Sequence, residues 1–210
     1  TLIKYEGGSL PARYDGNLIA VNPLLNYIEL TRFEKNGSSF KAVDEGRILE
    51  TDNRWFRPVD IQTGPDGAVY LADWSDSRLS HVDPRDTWDK TSGRIWRLRS
   101  KGNYVPHPKF DLSPSSDEQL MGLFYDTNER FPKQAILLLG NRKDKAIIPQ
   151  LTKLLKSDDG QIALEALWAI HVTGGFTDEI AAEALHHKDP FVRMWGVRLL
   201  GDSNHVSPVM

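Results

Sequence analysis

Apolar and polar residues alternate in the first half of the chain and recur at helical spacing in the second half. Before residue 111, short alternating stretches are separated by Gly, Asn and Asp, which is typical of β-strands. The predicted strands are 18–21, 27–33, 40–43, 59–63, 68–72 and 94–99. Later, apolar residues recur every three or four positions. The helices predicted there are 117–126, 129–140, 145–156, 159–172, 177–187 and 190–201.

This change of pattern predicts a multidomain chain, β first and then α. We expect a β domain over residues 1–110, a linker over 111–116 and a helical domain over 117–210. Ser116 is a candidate helix N-cap because Gln119 follows three residues later, as in a capping box. Within the β domain, Gly64–Gly67 (Gly-Pro-Asp-Gly) and Lys35–Ser38 (Lys-Asn-Gly-Ser) predict tight turns.

The helical part contains a weak internal repeat. Three apolar segments end at Gly140, Gly174 and Gly201, 34 and then 27 residues apart, and we expect each glycine to cap a helix. Asp189 and Pro190 predict the start of another helix. These features indicate about three antiparallel helix pairs in a short solenoid, which could present a concave surface to a protein partner. The helical spacing predicts a core made of Leu164, Leu167, Trp168, Val192, Trp195, Val197 and Leu200.

Composition excludes several classes of function. The chain has 210 residues, a formal net charge of −3 and no cysteine. The charge argues against a nucleic-acid partner. Without cysteine, disulfides, thiolate metal sites and a c-type haem attachment motif are excluded within these residues. No apolar run is long enough to span a bilayer.

The loop that joins the last two predicted strands, 73–93, is long and densely charged. Its carboxylates could form a calcium site from Asp73, Asp76 and Asp83, since Ca²⁺ accepts six to eight oxygen ligands in irregular geometry. The spacing does not match the EF-hand series. The alternative is that these residues cap turns and pair with the arginines Arg78, Arg85 and Arg94.

The same loop carries a candidate base and two candidate stacking residues. His81 stands near Asp83, and a histidine oriented by a carboxylate can act as a general base at neutral pH. The alternative is a packing histidine that donates to that carboxylate or to a backbone carbonyl. Trp74 and Trp88 stand beside carboxylates, which would suit stacking against a carbohydrate ring.

Four segments of the β domain carry a resemblance to a known family. They are Trp55–Asp60 (Trp-Phe-Arg-Pro-Val-Asp), Gly64–Gly67, Asp73-Trp74 and Gly93–Arg97 (Gly-Arg-Ile-Trp-Arg), and the upstream stretch 5–18 also fits. The chain resembles the last blades of a sugar/sorbosone dehydrogenase-like (soluble quinoprotein-like) β-propeller followed by HEAT-like repeats. It is similar to the membrane-bound dehydrogenase-type proteins of planctomycetes and related bacteria.

The resemblance implies a partial propeller of about two blades, followed by a HEAT-like helical solenoid. Two blades cannot close a ring, so we expect a fragment of a larger propeller. The resemblance also implies an extracytoplasmic location, a quinone cofactor (PQQ) and Ca²⁺ in the parent protein, and haem in a separate domain. No cofactor is demonstrable from this chain itself.

Arg57 is the cofactor-binding candidate that the resemblance implies, because channel-facing arginines in quinoprotein propellers hold the carboxylates of the cofactor. The alternative is a structural pairing of Arg57 with Asp60 or Asp73. Two functions stay open. The first is a fragment, itself non-catalytic, of a sugar or alcohol dehydrogenase. The second is a non-enzymatic scaffold that binds a carbohydrate or a protein.

Overall fold

The computed structural model describes residues 1–37, 39–77, 85, 89–102 and 111–202. The chain divides into two compact units, a β unit over Thr1–Pro108 and a helical unit over Lys109–Met210. Among the described residues, no helix combines the length and the apolar character that crossing a membrane requires.

The described strands of the β unit form two antiparallel sheets. In the first sheet, four strands lie in chain order: β1 (Leu2–Lys4), β2 (Leu18–Asn22), β3 (Tyr27–Asn36) and β4 (Ser39–Glu50). In the second sheet, three strands follow in chain order: β5 (Pro58–Thr63), β6 (Val69–Asp73) and β7 (Arg94–Leu98). The first strands of the sheets lie near each other, since β5 contacts both β1 and β2.

Alternation along the strands builds a core between the two sheets. Along β2 and the first half of β3 (27–31), every second residue is buried, and the residues between them are partly exposed. Because successive side chains of a strand point to opposite faces, one face of each sheet supplies this core. Each fully buried aliphatic or aromatic side chain contributes about 1.5–3 kcal/mol. The buried residues of this core are Tyr5, Ile19, Val21, Ile28, Leu30, Phe56, Ile61, Val69 and Leu71.

Tyr5 ties the amino-terminal loop to the turn between β5 and β6. Its hydroxyl donates to the carbonyl of Gly67 at 2.7 Å and accepts from the backbone N–H groups of Ser9 and Leu10. Gly67 has φ +70°, as the predicted tight turn requires. A Cβ atom on Gly7 would lie 2.6 Å from the Gly67 carbonyl oxygen, so the two backbones approach too closely for a side chain there.

The strand predictions were incomplete in three places. The short edge strand β1 was not predicted. Strand β4 runs to Glu50, well past the predicted end at 43, because a bulge carries the chain through Asp44-Glu45-Gly46, which looks like a turn in the sequence. Strand β3 runs to Asn36, past its predicted end at 33, whereas the second sheet contains, among the described residues, the three strands predicted for it. The structure therefore agrees with the predicted fold at the level of antiparallel sheets followed by helices.

The helical unit contains six α-helices among its described residues, as predicted. They are α1 (Asp117–Gly122), α2 (Arg130–Arg142), α3 (Ile148–Leu155), α4 (Gly160–Thr173), α5 (Asp178–Leu185) and α6 (Pro190–Gly201). The predicted capping box at α1 is confirmed: Ser116 accepts from the Gln119 N–H group, and the Gln119 side chain accepts from the Ser116 N–H group. Helix α4 lies at the centre, in contact with α2, α3 and α6.

Side-chain caps, rather than glycines, mark the repeat. Asn128, Asp159 and Asp189 each accept from the N–H group two residues later. Asp159 and Asp189 are the N-caps of α4 and α6, and Asn128 lies directly before Glu129, the N-cap of α2. These three side-chain acceptors are 31 and then 30 residues apart. The prediction that three glycines cap helices holds only for Gly174, which has φ +82°. Gly140 lies inside α2, where a Cβ atom would be 2.9 Å from Val172 Cγ2, and the last glycine, 201, is the final residue of α6.

The predicted helical core is confirmed at five of its seven positions; Leu200 is only partly buried, and its neighbour Leu199 lies in the core instead. Leu164, Leu167 and Val192 are buried, and the partly buried Trp168 and Trp195 pack edge to face with ring centroids 5.1 Å apart. Val197 is 62% exposed on the outer side of α6. Val197 does lie in a helix, as its spacing predicts, but no described element covers that side of α6.

Candidate functional site

Three segments of the motif meet at the carboxylate of Asp73. Its Oδ1 atom accepts from the backbone N–H groups of Arg57 at 2.8 Å and Ser75 at 3.2 Å. Its Oδ2 atom accepts from the Trp96 indole Nε1 at 2.9 Å and forms an ion pair with Arg94 Nη2 at 3.0 Å. A carboxylate has about four acceptor sites, and three hydrogen bonds and one ion pair engage this buried group within the protein.

The positions of the strands explain why these residues converge. Asp73 ends β6 and pairs with Pro58 of β5 on one side and with Arg94 of β7 on the other. Trp96 lies two residues after Arg94, on the same face of β7. The Arg94 guanidinium lies 5.3 Å from the centre of the Trp96 ring, within range of a cation–π contact. The ring of Trp96 is thus oriented by both a carboxylate and an arginine.

Arg57 lies buried beneath this site and links the two sheets. Its Nη1 atom donates to the Pro23 carbonyl at 3.2 Å and to the side-chain oxygen of Asn26, both in the loop between β2 and β3. Burial lowers the pKa of Arg57, against the opposing effect of the Asp76 charge. Its Nε atom has no hydrogen-bond partner within the described part of the chain. These contacts favour the structural alternative for Arg57, although its partners are loop atoms rather than a carboxylate side chain.

The residues predicted for the calcium site are only partly described. Both carboxylate oxygens of Asp73 accept hydrogen bonds from protein groups. Asp76, three residues later, is half-buried, and Asp83 lies outside the described residues. In the ranges that the structure describes, no group of three or more histidine or acidic side chains is placed to hold a metal ion. The contacts of Asp73 favour the predicted alternative in which the loop carboxylates are structural.

The end of the charged loop is held by Asp89. Its carboxylate accepts from the Thr91 N–H and hydroxyl groups and from the Ser92 hydroxyl at 2.6 Å. These hydrogen bonds, with that of Ser92 the largest cause, lower the pKa of Asp89 to about 2. Ser75, with φ +59°, accepts from the Asp89 N–H group through its carbonyl. This contact joins the described end of the loop to the Asp73 site.

The predicted base and stacking residues are placed as follows. His81 and Trp88 lie outside the described residues. Trp74 is 47% exposed, and its backbone N–H group donates to the Arg57 carbonyl at 2.9 Å. Trp55, just before Arg57 in the chain, is 43% exposed.

A cleft opens between the sheets beside Trp96, which is itself 43% exposed. Its volume is about 320 Å³. Phe56, Leu71 and Leu98 give it an apolar floor, and Glu50, Thr51 and Asn53 bring polar groups to its rim. Ligand sites in proteins are typically apolar pockets with a few placed polar groups, so this cleft has the composition of a binding site.

A second cleft of about 400 Å³ adjoins the first at Arg97 and Leu98. Aliphatic residues of both sheets line it, together with Arg99 and Lys101. Arg97 is anchored by an ion pair with Asp66 in the turn between β5 and β6. The two clefts together extend along the side of the β unit at which β7 lies.

Comparison with known proteins gave one match. Residues 1–102 are similar to a protein family described as a domain of unknown function (DUF7133). Neither the curated proteins nor the solved structures gave a match. The matched residues include both sheets, the Asp73 site and both clefts.

The sequence predictions missed the cleft and its central residue. Trp96 was part of the motif but was not selected as a binding residue. The alternation within the predicted strand 94–99 was a usable signal, because it puts Trp96 and Leu98 on one face. The rim residues Glu50 and Asn53 were beyond prediction, since they follow a strand whose end was placed seven residues too early.

Proposed function

We propose that this chain is a non-catalytic binding module whose β unit takes a carbohydrate in the cleft beside Trp96. The observation that carries the proposal is a half-exposed indole ring, oriented by Asp73 and Arg94, at the side of an apolar cleft with a polar rim. An aromatic ring offers a flat apolar face, and the C–H face of a sugar ring is its natural complement.

The rim offers hydrogen-bond partners for hydroxyl groups. Asn53 Oδ1 accepts from the Trp55 N–H group at 3.0 Å, which orients the amide so that its nitrogen can donate to a ligand. Thr51 can donate through its hydroxyl, and Glu50 can accept through a carboxylate oxygen. A sugar stacked on Trp96 would therefore find both donors and acceptors at one edge of the cleft.

The test is a screen of immobilised glycans with the full chain, followed by calorimetric titration of the best ligand. Trp96→Ala is expected to weaken binding at least tenfold, about 1.4 kcal/mol. Trp55→Ala is the matched control, since Trp55 is equally exposed but does not line the cleft; it should change the affinity by less than about twofold. Circular dichroism of each variant verifies folding.

A second set of variants separates stacking from any effect on the Asp73 site. Glu50→Gln and Asn53→Ala change the rim and leave the donors of Asp73 in place. We expect each to weaken binding by about three- to tenfold, the loss of one hydrogen bond. The proposal would be contradicted if the screen finds no glycan that binds, or if the affinity is unchanged in Trp96→Ala, Glu50→Gln and Asn53→Ala alike.

For the larger architecture, we propose that the two sheets are neighbouring blades of a propeller and that the helical unit is a HEAT-like solenoid. The serial order of the strands, the proximity of β1, β2 and β5, and the side-chain acceptors 31 and 30 residues apart support this. The resemblance carried by the motif segments is what supports the alternative, a dehydrogenase-like parent protein that is extracytoplasmic and dependent on quinone and calcium. Sugar-dependent dye reduction by such a parent, with added quinone and Ca²⁺, tests that alternative.

A further inference from the structure

The second cleft of the β unit has an apolar lining that both sheets supply. Its volume of about 400 Å³ lies in the range of roughly 300–1,000 Å³ that is typical of small-molecule sites. Leu10, Ile48 and Leu98 line it and are only partly buried, so they present apolar surface to the cleft. Ile19 and Val69, which also line it, belong to the buried core.

One wall of this cleft is held in place by hydrogen bonds within the protein. The Leu10 N–H group donates to the Tyr5 hydroxyl at 2.8 Å. Tyr14, which lines the cleft a few residues later, accepts from Arg13 Nη2 at 2.6 Å through its hydroxyl. The Arg13 guanidinium lies 4.7 Å from the centre of the Tyr14 ring. The wall is therefore formed before any ligand enters, which lowers the entropic cost of binding.

Three residues that directly follow β7 give the cleft a cationic rim, defined as Arg99, Ser100 and Lys101. The Ser100 hydroxyl accepts from the Gly102 N–H group at 3.2 Å. A hydroxyl group also has one hydrogen to donate, so Ser100 can form a hydrogen bond to an anion between the two cations. Arg97 lines the cleft as well, but its guanidinium forms an ion pair with Asp66.

The charge of this rim is a local property. The whole chain has 29 acidic and 26 basic residues, yet none of the described residues that line the cleft is acidic. Charges attract each other more strongly beside an apolar surface than in bulk water. A ligand with a negative charge at one end and an apolar body at the other matches both parts of the cleft.

We propose that the second cleft binds a small organic anion with an apolar body. Its acidic group, a carboxylate or a sulfonate, pairs with Arg99 and Lys101 and accepts from the Ser100 hydroxyl. Its apolar body lies against the aliphatic lining. Because the acidic group stays at the rim, in contact with water, it avoids the large cost of burying a charge. This site is separate from the proposed carbohydrate site, and the proposal stands whether or not a glycan binds beside Trp96.

The test titrates the full chain with octanoate and, as an aromatic acid, with 3-phenylpropanoate, followed by calorimetry. We expect saturable binding of at least one of them with a Kd below about 10 mM. The affinity should rise about two- to fourfold per methylene from butanoate to octanoate, since each methylene enters apolar surroundings. Octyltrimethylammonium has the same alkyl chain and the opposite charge, and it should bind at least about tenfold more weakly than octanoate.

Nuclear magnetic resonance of the chain with labelled isoleucine methyl groups locates the ligand. The Ile48 and Ile19 signals should shift with saturation, because both residues line the cleft. The signal of Ile162, which is buried in α4, should stay in place. If the Trp96 indole N–H signal shifts and the two isoleucine signals do not, the ligand lies in the first cleft and the proposal is overturned.

Substitutions of lysine separate the rim from general charge effects. Lys101→Gln should weaken octanoate binding at least about threefold, and Lys101→Glu further. The matched control is Lys41→Gln, an exposed lysine of β4 that lines neither cleft, with an expected change below about 1.5-fold. The proposal is also overturned if neither acid binds, if octyltrimethylammonium binds as tightly as octanoate, or if the Lys101 variants bind like the Lys41 variant.

Discussion

The indole Nε1 atom of Trp96 donates to Oδ2 of Asp73 over 2.9 Å, across two neighbouring strands. This bond joins a carboxylate that is wholly buried to a ring that is 43% exposed at the cleft. The buried partner fixes the orientation of the exposed partner. A ring held in this way loses little conformational freedom when a ligand stacks on it, which favours binding.

Replacing Asp73 is expected to destabilise the β unit strongly. Asp73→Ala removes an acceptor from two backbone N–H groups and from Trp96, and it leaves Arg94 without its buried counter-charge. We expect the free energy of unfolding of the β unit to fall by about 2–4 kcal/mol. Hydrogen-exchange mass spectrometry of peptides that cover β5–β7 measures this loss. The control is Asp60→Ala, an exposed site on β5, with an expected change within about 0.5 kcal/mol. Equal effects of the two substitutions would refute the structural role of Asp73.

Glu165 makes the helical unit sensitive to pH. Its side chain is buried in α4, where Gln161 Nε2 donates to one carboxylate oxygen at 2.9 Å. Burial, the largest cause, raises the pKa of Glu165 from 4.5 to about 7, with Glu129 and Asp159 adding to the rise and Lys133 opposing it. The folded unit therefore binds more protons than the unfolded chain between these two values. Its stability is highest below pH 4.5 with respect to this group, and falls as pH rises to about 7.

Glu165→Gln tests this effect because it removes the ionisable group and keeps the shape. At pH 8, we expect the variant to be more stable than the natural chain by about 2–4 kcal/mol. Near pH 4.5 the two should be equally stable. Thermal unfolding of both chains across this pH range gives the difference, with Glu118→Gln at an exposed site of α1 as the control. A stability difference that does not change with pH would show that Glu165 is ionised in the folded unit.

Two glycines in helices should respond in opposite ways to a methyl group. Alanine in a helix is normally more stable than glycine by about 0.5–1 kcal/mol. A Cβ atom at Gly122 meets nothing within 4 Å, so Gly122→Ala should raise the free energy of unfolding by about that amount. A Cβ atom at Gly140 would lie 2.9 Å from Val172 Cγ2, a branched side chain with little freedom to move.

We therefore expect Gly140→Ala to lower the free energy of unfolding of the helical unit by about 1–3 kcal/mol, in spite of its better helix propensity. Urea unfolding of the two variants, followed by circular dichroism, measures both effects. If both substitutions stabilise the unit, α2 and α4 do not pack as closely as the 2.9 Å distance to Val172 Cγ2 requires.

Local chemistry predicted most of the secondary structure. The helices follow from apolar spacing and from caps that act within a few residues, such as Ser116 with Gln119. The turn at Gly64–Gly67 follows from its sequence for the same reason. The prediction ended strand β4 too early, because its bulge places Asp and Gly residues in the middle of the strand, where their sequence is typical of a turn. Pairing with β3, which the sequence does not display, keeps that segment extended.

The site was harder to predict because it depends on contacts between distant residues. The Asp73 carboxylate meets donors 16 residues before it and 23 residues after it. Of its donors, the Ser75 N–H group alone lies close in sequence, so the pattern of loop carboxylates left both a cation site and a structural role open. The alternation within strand 94–99 puts Trp96 and Leu98 on one face, but the cleft that makes Trp96 a candidate binding residue forms only when both sheets are present.

The carbohydrate site is tested most directly by titrating the ¹⁵N-labelled chain with the best glycan from the screen and following the indole N–H signals of its six tryptophans. We predict that the Trp96 signal shifts with saturation, while those of Trp168 and Trp195 in the helical unit stay in place. Shifts confined to other tryptophans, or no shift at saturating glycan, would contradict a carbohydrate site in the cleft beside Trp96.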